Sequence, residues 1–263
     1  MKKNTRIAVA VVAVLAGLAA YFLWQPSPPK PEPVHVQAPP PPPKPEVRQV
    51  IETPPASAPL PTLADSDSFM LDALAGLVSN KSLMKLFHTE RIIHNIVATI
   101  DNLPRRRAPM SVMPVEQASG KFITAGTESD LTISPKNAAR YTSYVKIAEA
   151  IDTKKVVGLY VRLYPLFQQA YEELGYPKQY FNDRLIVVLD DLLAAPDIKE
   201  PVRLAQPGVY YLFADPDLEG RSIGQRILMR TGSNNEAIIK GKLREIKQEL
   251  KLHMHEKKVE SAK

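Results

Sequence analysis

Apolar residues recur at helical spacing through most of the chain beyond residue 65, and this periodicity defines the elements. Phe69, Leu71, Leu74, Leu77 and Val78 follow Asp65-Ser66-Asp67, which offers an N-cap, and predict a first helix ending near Asn80. Ser82 to Phe87 reads as a short helical turn. Glu90 to Asp101 places Ile92, Ile93, Ile96, Val97 and Ile100 on one face before Asn102-Leu103-Pro104 stops the helix. Helical pattern returns over Asn137–Ile151 and over Thr153–Leu174, the latter behind an Asp152 cap and closed by Gly175. Pro165 inside that helix predicts a kink, because its ring meets the carbonyl of Val161. Phe181–Ala195 is apolar nearly all round and is expected at the centre of the core. Two further helices follow, Leu218–Met229 and Asn234–Leu252, with Ser233 and Glu236 in capping-box spacing. The last carries a seam of Ile239, Leu243, Ile246 and Leu250, which would suit a partner protein if left uncovered.

Alternation replaces the helical period in two places. Lys121–Thr124 and Leu131–Ser134 flank Ala125-Gly126-Thr127, and Val202–Leu204 and Val209–Phe213 flank Gln206-Pro207-Gly208; both read as hairpins. The fold class expected for residues 65–252 is therefore mainly α with two small β-hairpins, in one compact helical domain.

Upstream the pattern changes in kind. Residues 7–24 form an 18-residue run without charge, IAVAVVAVLAGLAAYFLW, which as a helix rises about 27 Å and spans a bilayer core. Lys2, Lys3 and Arg6 precede it, so residues 1–6 are expected in the cytoplasm and the remainder outside. A cleaved secretory signal is the competing reading, but the apolar run continues past the small residues Gly17 and Ala19 through Tyr21-Phe22-Leu23-Trp24. Of the 25 prolines, 15 lie between Pro26 and Pro61, so residues 25–64 are expected as an extended linker reaching at most about 120 Å. Residues 253–263 read as a flexible charged tail.

Composition narrows the chemistry. The absence of cysteine excludes disulfides, thiolate metal sites and a cysteine nucleophile. The formal charge of +6 comes largely from the two termini, which leaves the domain near balance and gives no field for nucleic acid. The five histidines lack metal-pair spacing, so no metal and no cofactor is expected.

The run Tyr164-Pro-Leu-Phe-Gln-Gln-Ala-Tyr-Glu-Glu-Leu-Gly-Tyr-Pro177, continued by Tyr180-Phe-Asn-Asp-Arg-Leu185, resembles a bacterial domain-of-unknown-function family, number three thousand and fourteen. Asp101-Asn-Leu-Pro104, Asn137-Ala-Ala-Arg-Tyr141, Asp215-Pro-Asp-Leu-Glu219 and Gly224-Gln225 agree with it. The resemblance implies the layout of span, linker and domain, and brings no activity, cofactor or catalytic residue.

Two groups of residues carry candidate chemistry. Tyr160, Tyr164, Phe167 and Tyr171 make an aromatic stripe, which packs in a core or serves as a wall for sugars. Arg140, Tyr141, Tyr160, Tyr164, Asn182, Asp183 and Arg184 are the candidate ligand-binding residues, with Arg140 and Arg184 as forks for a carboxylate. Their bland reading is a cap with a structural ion pair. Glu172, Glu173, Asp183 and Glu219 would serve a glycan hydrolase only if one carboxyl is desolvated at a set distance from another, and no catalytic residue is assigned. Arg105-Arg106-Arg107 reads as a solvated basic loop or a contact with anionic phosphates. The expectation is a single-pass inner-membrane protein with its domain in the periplasm, binding or scaffolding an envelope component, cell-wall glycan or protein. A cell-wall glycan hydrolase or accessory enzyme is the alternative.

Overall fold

The computed structural model describes residues 47–51, 59–78 and 81–258. The expected span at 7–24 and most of the linker lie outside them. Among the described residues no helix is long and apolar enough to cross a membrane.

Eight helices carry the domain: α1 (Ser66–Leu77), α2 (Ile92–Asn102), α3 (Thr142–Ala150), α4 (Thr153–Glu173), α5 (Phe181–Leu193), α6 (Pro216–Glu219), α7 (Ile223–Arg230) and α8 (Ser233–Leu252). Six two- to five-residue strands accompany them: β1 (Val47–Ile51), β2 (Thr124–Ala125), β3 (Thr132–Ile133), β4 (Leu204–Ala205), β5 (Leu212–Phe213) and β6 (Met254–Lys258). The two expected hairpins are present as β2–β3 and β4–β5, each shorter than the sequence predicts. They are stitched together by Ile133 N–H donating to Val202 O at 3.0 Å and Leu204 N–H to Leu131 O at 2.8 Å. Gly126 makes the first turn possible, with φ of +89° and room for no side chain, since a Cβ would lie 2.2 Å from Asp130 O.

A third ladder was not expected. β1 runs antiparallel to β6, with Val47 opposite Lys258 and Ile51 opposite Met254. Both strands fall where the sequence reads as unpacked linker and tail. The cause is local: Val47-Arg-Gln-Val-Ile51 is a proline-free run with β-branched residues, so its amides can donate to a ladder where the proline blocks on either side cannot. Ile51 and Met254 bury themselves beside Val161, Leu189 and Leu250.

The centre of the domain is α4 rather than α5. α4 packs against α1, α2, α5 and α8, and its buried positions, from Val157 to Tyr171, serve two clusters at once. It runs unbroken through Pro165, whose ring stands on the exposed side. On α5, Phe181, Asn182, Val188 and Leu189 are buried, but Val187 is 53% exposed, so one face meets solvent despite its apolar sequence. The seam of α8 is also spoken for, because Leu243, Ile246 and Leu250 pack into the second cluster and are not left for a partner.

Caps differ from expectation in two places. Asp67 does not cap its own helix; its carboxylate accepts from Arg91 N–H at 2.6 Å and Ile92 N–H at 2.8 Å, closing the start of α2 across space. Glu236 does not complete a capping box with Ser233. The N-cap of α8 is Gly232, and Glu236 is buried facing Lys240 Nζ at 3.0 Å.

Candidate functional site

Five helices contribute apolar side chains to a cavity of about 230 Å³. α1 supplies Leu74 and Leu77, α2 Ile100, α4 Leu159 and Tyr160, α5 Leu185, and α8 Ile246, and the lining is apolar throughout. The spacings that put these residues there are the same i, i+3 and i+4 intervals that build a core. For comparison, an apolar void of about 150 Å³ stays dry and admits benzene. This one is partly open to solvent, so its apolar lining meets water unless something covers it.

The aromatic stripe forms the inner wall beside it. The Tyr160 ring meets Phe167 edge-on with centroids 5.2 Å apart and Tyr164 at 6.1 Å, while Phe167 stacks on Phe181 at 5.9 Å. The Tyr160 hydroxyl donates to Asn182 Oδ1, and Asn182 is fully buried. Burial holds the Tyr160 phenol well above its ordinary pKa, so it remains a neutral donor. Tyr164 is raised likewise, first by burial and then by Tyr180, Asp183 and Glu172. Of the predicted site residues, Tyr160 lines the cavity and Asn182 holds its hydroxyl from behind.

Tyr164 points into a separate polar network whose centre the sequence reading missed. Gln168 Oε1 accepts from the Tyr164 hydroxyl at 3.0 Å and from Phe181 N–H at 2.9 Å. Its Nε2 donates to Glu172 Oε1 at 2.9 Å and to Gln179 O at 2.8 Å. Gln168 thus ties the end of α4 to the start of α5, and with Glu172, Lys178 and Tyr180 it borders a polar cleft of about 320 Å³. Its placement one turn from both Tyr164 and Glu172 was the available signal.

Arg184 serves a third cluster. Its Nε lies 2.9 Å from Asp101 Oδ1 and it also donates to Asp101 O. Arg105 and the Tyr176 hydroxyl approach the same carboxylate, which is almost fully buried. Asp183 stands close enough to Tyr164 and Tyr171 for its charge to raise both phenols; Tyr171 is pushed up to about 12, chiefly by burial. Arg140 belongs to a fourth group, donating to Ala118 O, Ser119 O and Gly120 O at 2.9–3.1 Å and to Asn137 Oδ1 at 3.2 Å, with its guanidinium over the Tyr141 ring. The structure therefore does not bring Arg140, Tyr164 and Arg184 together. Arg140 and Arg184 are instead each held by protein groups, Arg140 by the 118–120 carbonyls and Arg184 by Asp101.

The carboxylates considered for catalysis are also committed. Glu173 accepts from His94 at 2.9 Å and Gln169 at 3.0 Å, contacts that lower its pKa. Glu219 accepts from Phe213 N–H at 2.9 Å and pairs with Arg226. Among the described residues no group of three metal-ligating side chains could hold an ion.

No curated protein and no solved structure matches this chain. A family model does, over residues 92–247, which takes in α2 through most of α8, and its description is Protein of unknown function (DUF3014). The match covers more than half of the sequence, and the chain belongs to that family.

Proposed function

We propose that this chain is a membrane-tethered binding protein of the bacterial cell envelope, its helical domain carried in the periplasm and receiving an apolar chain in the cavity between α1, α2, α4, α5 and α8. The observation that supports this reading is the cavity itself. At about 230 Å³ it lies above the size that admits benzene and below the roughly 300–1,000 Å³ of pockets for drug-sized ligands. Its occupant is then a short hydrocarbon segment, such as the end of an acyl chain, rather than a whole lipid. A span at residues 7–24 followed by a proline-rich linker would keep such a domain within reach of the membrane that supplies these chains.

Binding is favoured over glycan hydrolysis by the state of the acids. A general acid in such chemistry has its pKa raised, whereas Glu173 is held below its ordinary range, and Glu236, which burial does raise, is enclosed against Lys240. The test is displacement of a dansyl-labelled fatty acid from the full-length chain in nanodiscs. Blue-shifted fluorescence above that of empty discs, saturable and displaced by unlabelled fatty acid, is expected from the wild type and should be weaker from Leu185→Phe, which narrows the cavity. Equal signal from both proteins would sink the proposal.

A further inference from the structure

We infer that Arg106, Arg107 and Arg221 form a docking patch for anionic lipid headgroups, independent of the apolar cavity. The sequence shows three consecutive arginines after α2, which by themselves read as a solvated loop or a contact with anionic phosphates. The structure divides them. Arg105 turns inward to Asp101 and the Tyr176 hydroxyl, while Arg106 and Arg107 stay exposed and make no side-chain hydrogen bond or ion pair among the described residues. Arg221, far away in sequence, joins them in the same condition.

Two loops are fastened together to achieve this. Ile223 N–H donates to Arg105 O at 2.7 Å, Gly224 N–H to Leu103 O at 2.9 Å, and the Arg226 guanidinium to Arg106 O. Gly224 permits the approach, since a Cβ there would fall 2.6 Å from Leu192 Cδ2 and 3.2 Å from Leu103 O. The two loops that carry the arginines are thereby already held together before binding, which lowers the entropy cost of bringing them to one surface. Two nearby carboxylates are already paired with other arginines, Asp101 with Arg105 and Arg184 and Glu219 with Arg226. Asp191, bonded by the neutral Ser222 and Gln225, and Asp217 keep their charge, and the three arginines outnumber these two. Three free guanidinium forks on a domain otherwise near charge balance suit a surface of phosphodiesters, not a long polyanion that would need a whole basic face.

The experiment is arginine footprinting with phenylglyoxal on the full-length chain in nanodiscs, read by mass spectrometry. Discs of neutral lipid are compared with discs containing anionic phospholipid, and exposed Arg162 on α4 serves as the internal control. Anionic discs should slow modification of Arg106, Arg107 and Arg221 by about fivefold or more, the equivalent of roughly 1 kcal/mol per arginine, and raised salt should abolish the difference. In Arg106→Glu/Arg221→Glu, the remaining Arg107 should react equally in both discs. Equal reactivity in the wild type overturns the inference. So does protection by inorganic phosphate in neutral discs, which would assign the patch to a free phosphate instead of a membrane.

Discussion

Leu185→Phe tests whether the cavity is real space, because the sign of its effect depends on that alone. A phenyl ring in place of an isobutyl group adds volume equal to roughly a tenth of the space and covers apolar lining within it. Burying the additional carbons at about 25 cal/mol per Å² gives a stabilisation on the order of 0.5–1 kcal/mol. In a core already filled, the same change would force neighbouring side chains off their rotamers and cost about 1–3 kcal/mol. Urea unfolding of the full-length chain in nanodiscs reads the difference as a shift in midpoint at constant slope. Ligand supplies the second arm: fatty acid at about 100 times its dissociation constant should add roughly 2.7 kcal/mol to the wild type. For a domain of this size that is on the order of 5–10 °C in melting temperature, and the variant should lose part of it. A lowered midpoint for Leu185→Phe, with unchanged response to ligand, would refute both the space and its use.

Other expectations concern the networks around the cavity. Asp101→Ala should cost about 3 kcal/mol, because it strands the partly buried Arg184, whereas Arg105→Ala should cost under about 1 kcal/mol since half of that side chain is in water; denaturant midpoints of the two variants decide it. Gly126→Ala should lose more than about 1 kcal/mol by the same assay, from a positive φ and a Cβ driven against Asp130 O. Glu236 sets a pH dependence: burial raises its pKa above the ordinary 4.5, so the folded state holds its proton more tightly than the unfolded chain. Its contribution is complete below that value and is lost as pH rises through the folded pKa, so wild-type stability relative to Glu236→Gln should fall as pH is raised above the ordinary carboxyl range. A difference that stays flat with pH would contradict this.

The helices were legible because their apolar spacing is a local property, and seven of the eight lie close to where periodicity puts them. What periodicity could not reveal is which apolar face meets which, and two of the surprises follow from that. α5 is apolar nearly all round, yet α4 takes the centre, since α4 offers buried positions toward two clusters and α5 leaves Val187 in solvent. The cavity was invisible for the same reason: Leu74, Ile100, Leu185 and Ile246 carry the same signal as residues that pack without a gap, and a void is a property of five surfaces at once. Polar partners were misjudged where distance along the chain stood in for distance in space. Asp67 serves α2 instead of α1, Glu236 serves Lys240 instead of Ser233, and Arg140 and Arg184 end in different networks. The spacing of the tyrosine stripe suits either a core or a binding wall, and Tyr160 shows why those alternatives need not compete. One edge of its ring packs against Phe167, its hydroxyl is satisfied by Asn182, and it still lines the cavity. A side chain fixed that firmly presents a wall whose shape does not have to be organised when a ligand arrives, so the packing that makes it look structural is also what would make it useful for binding.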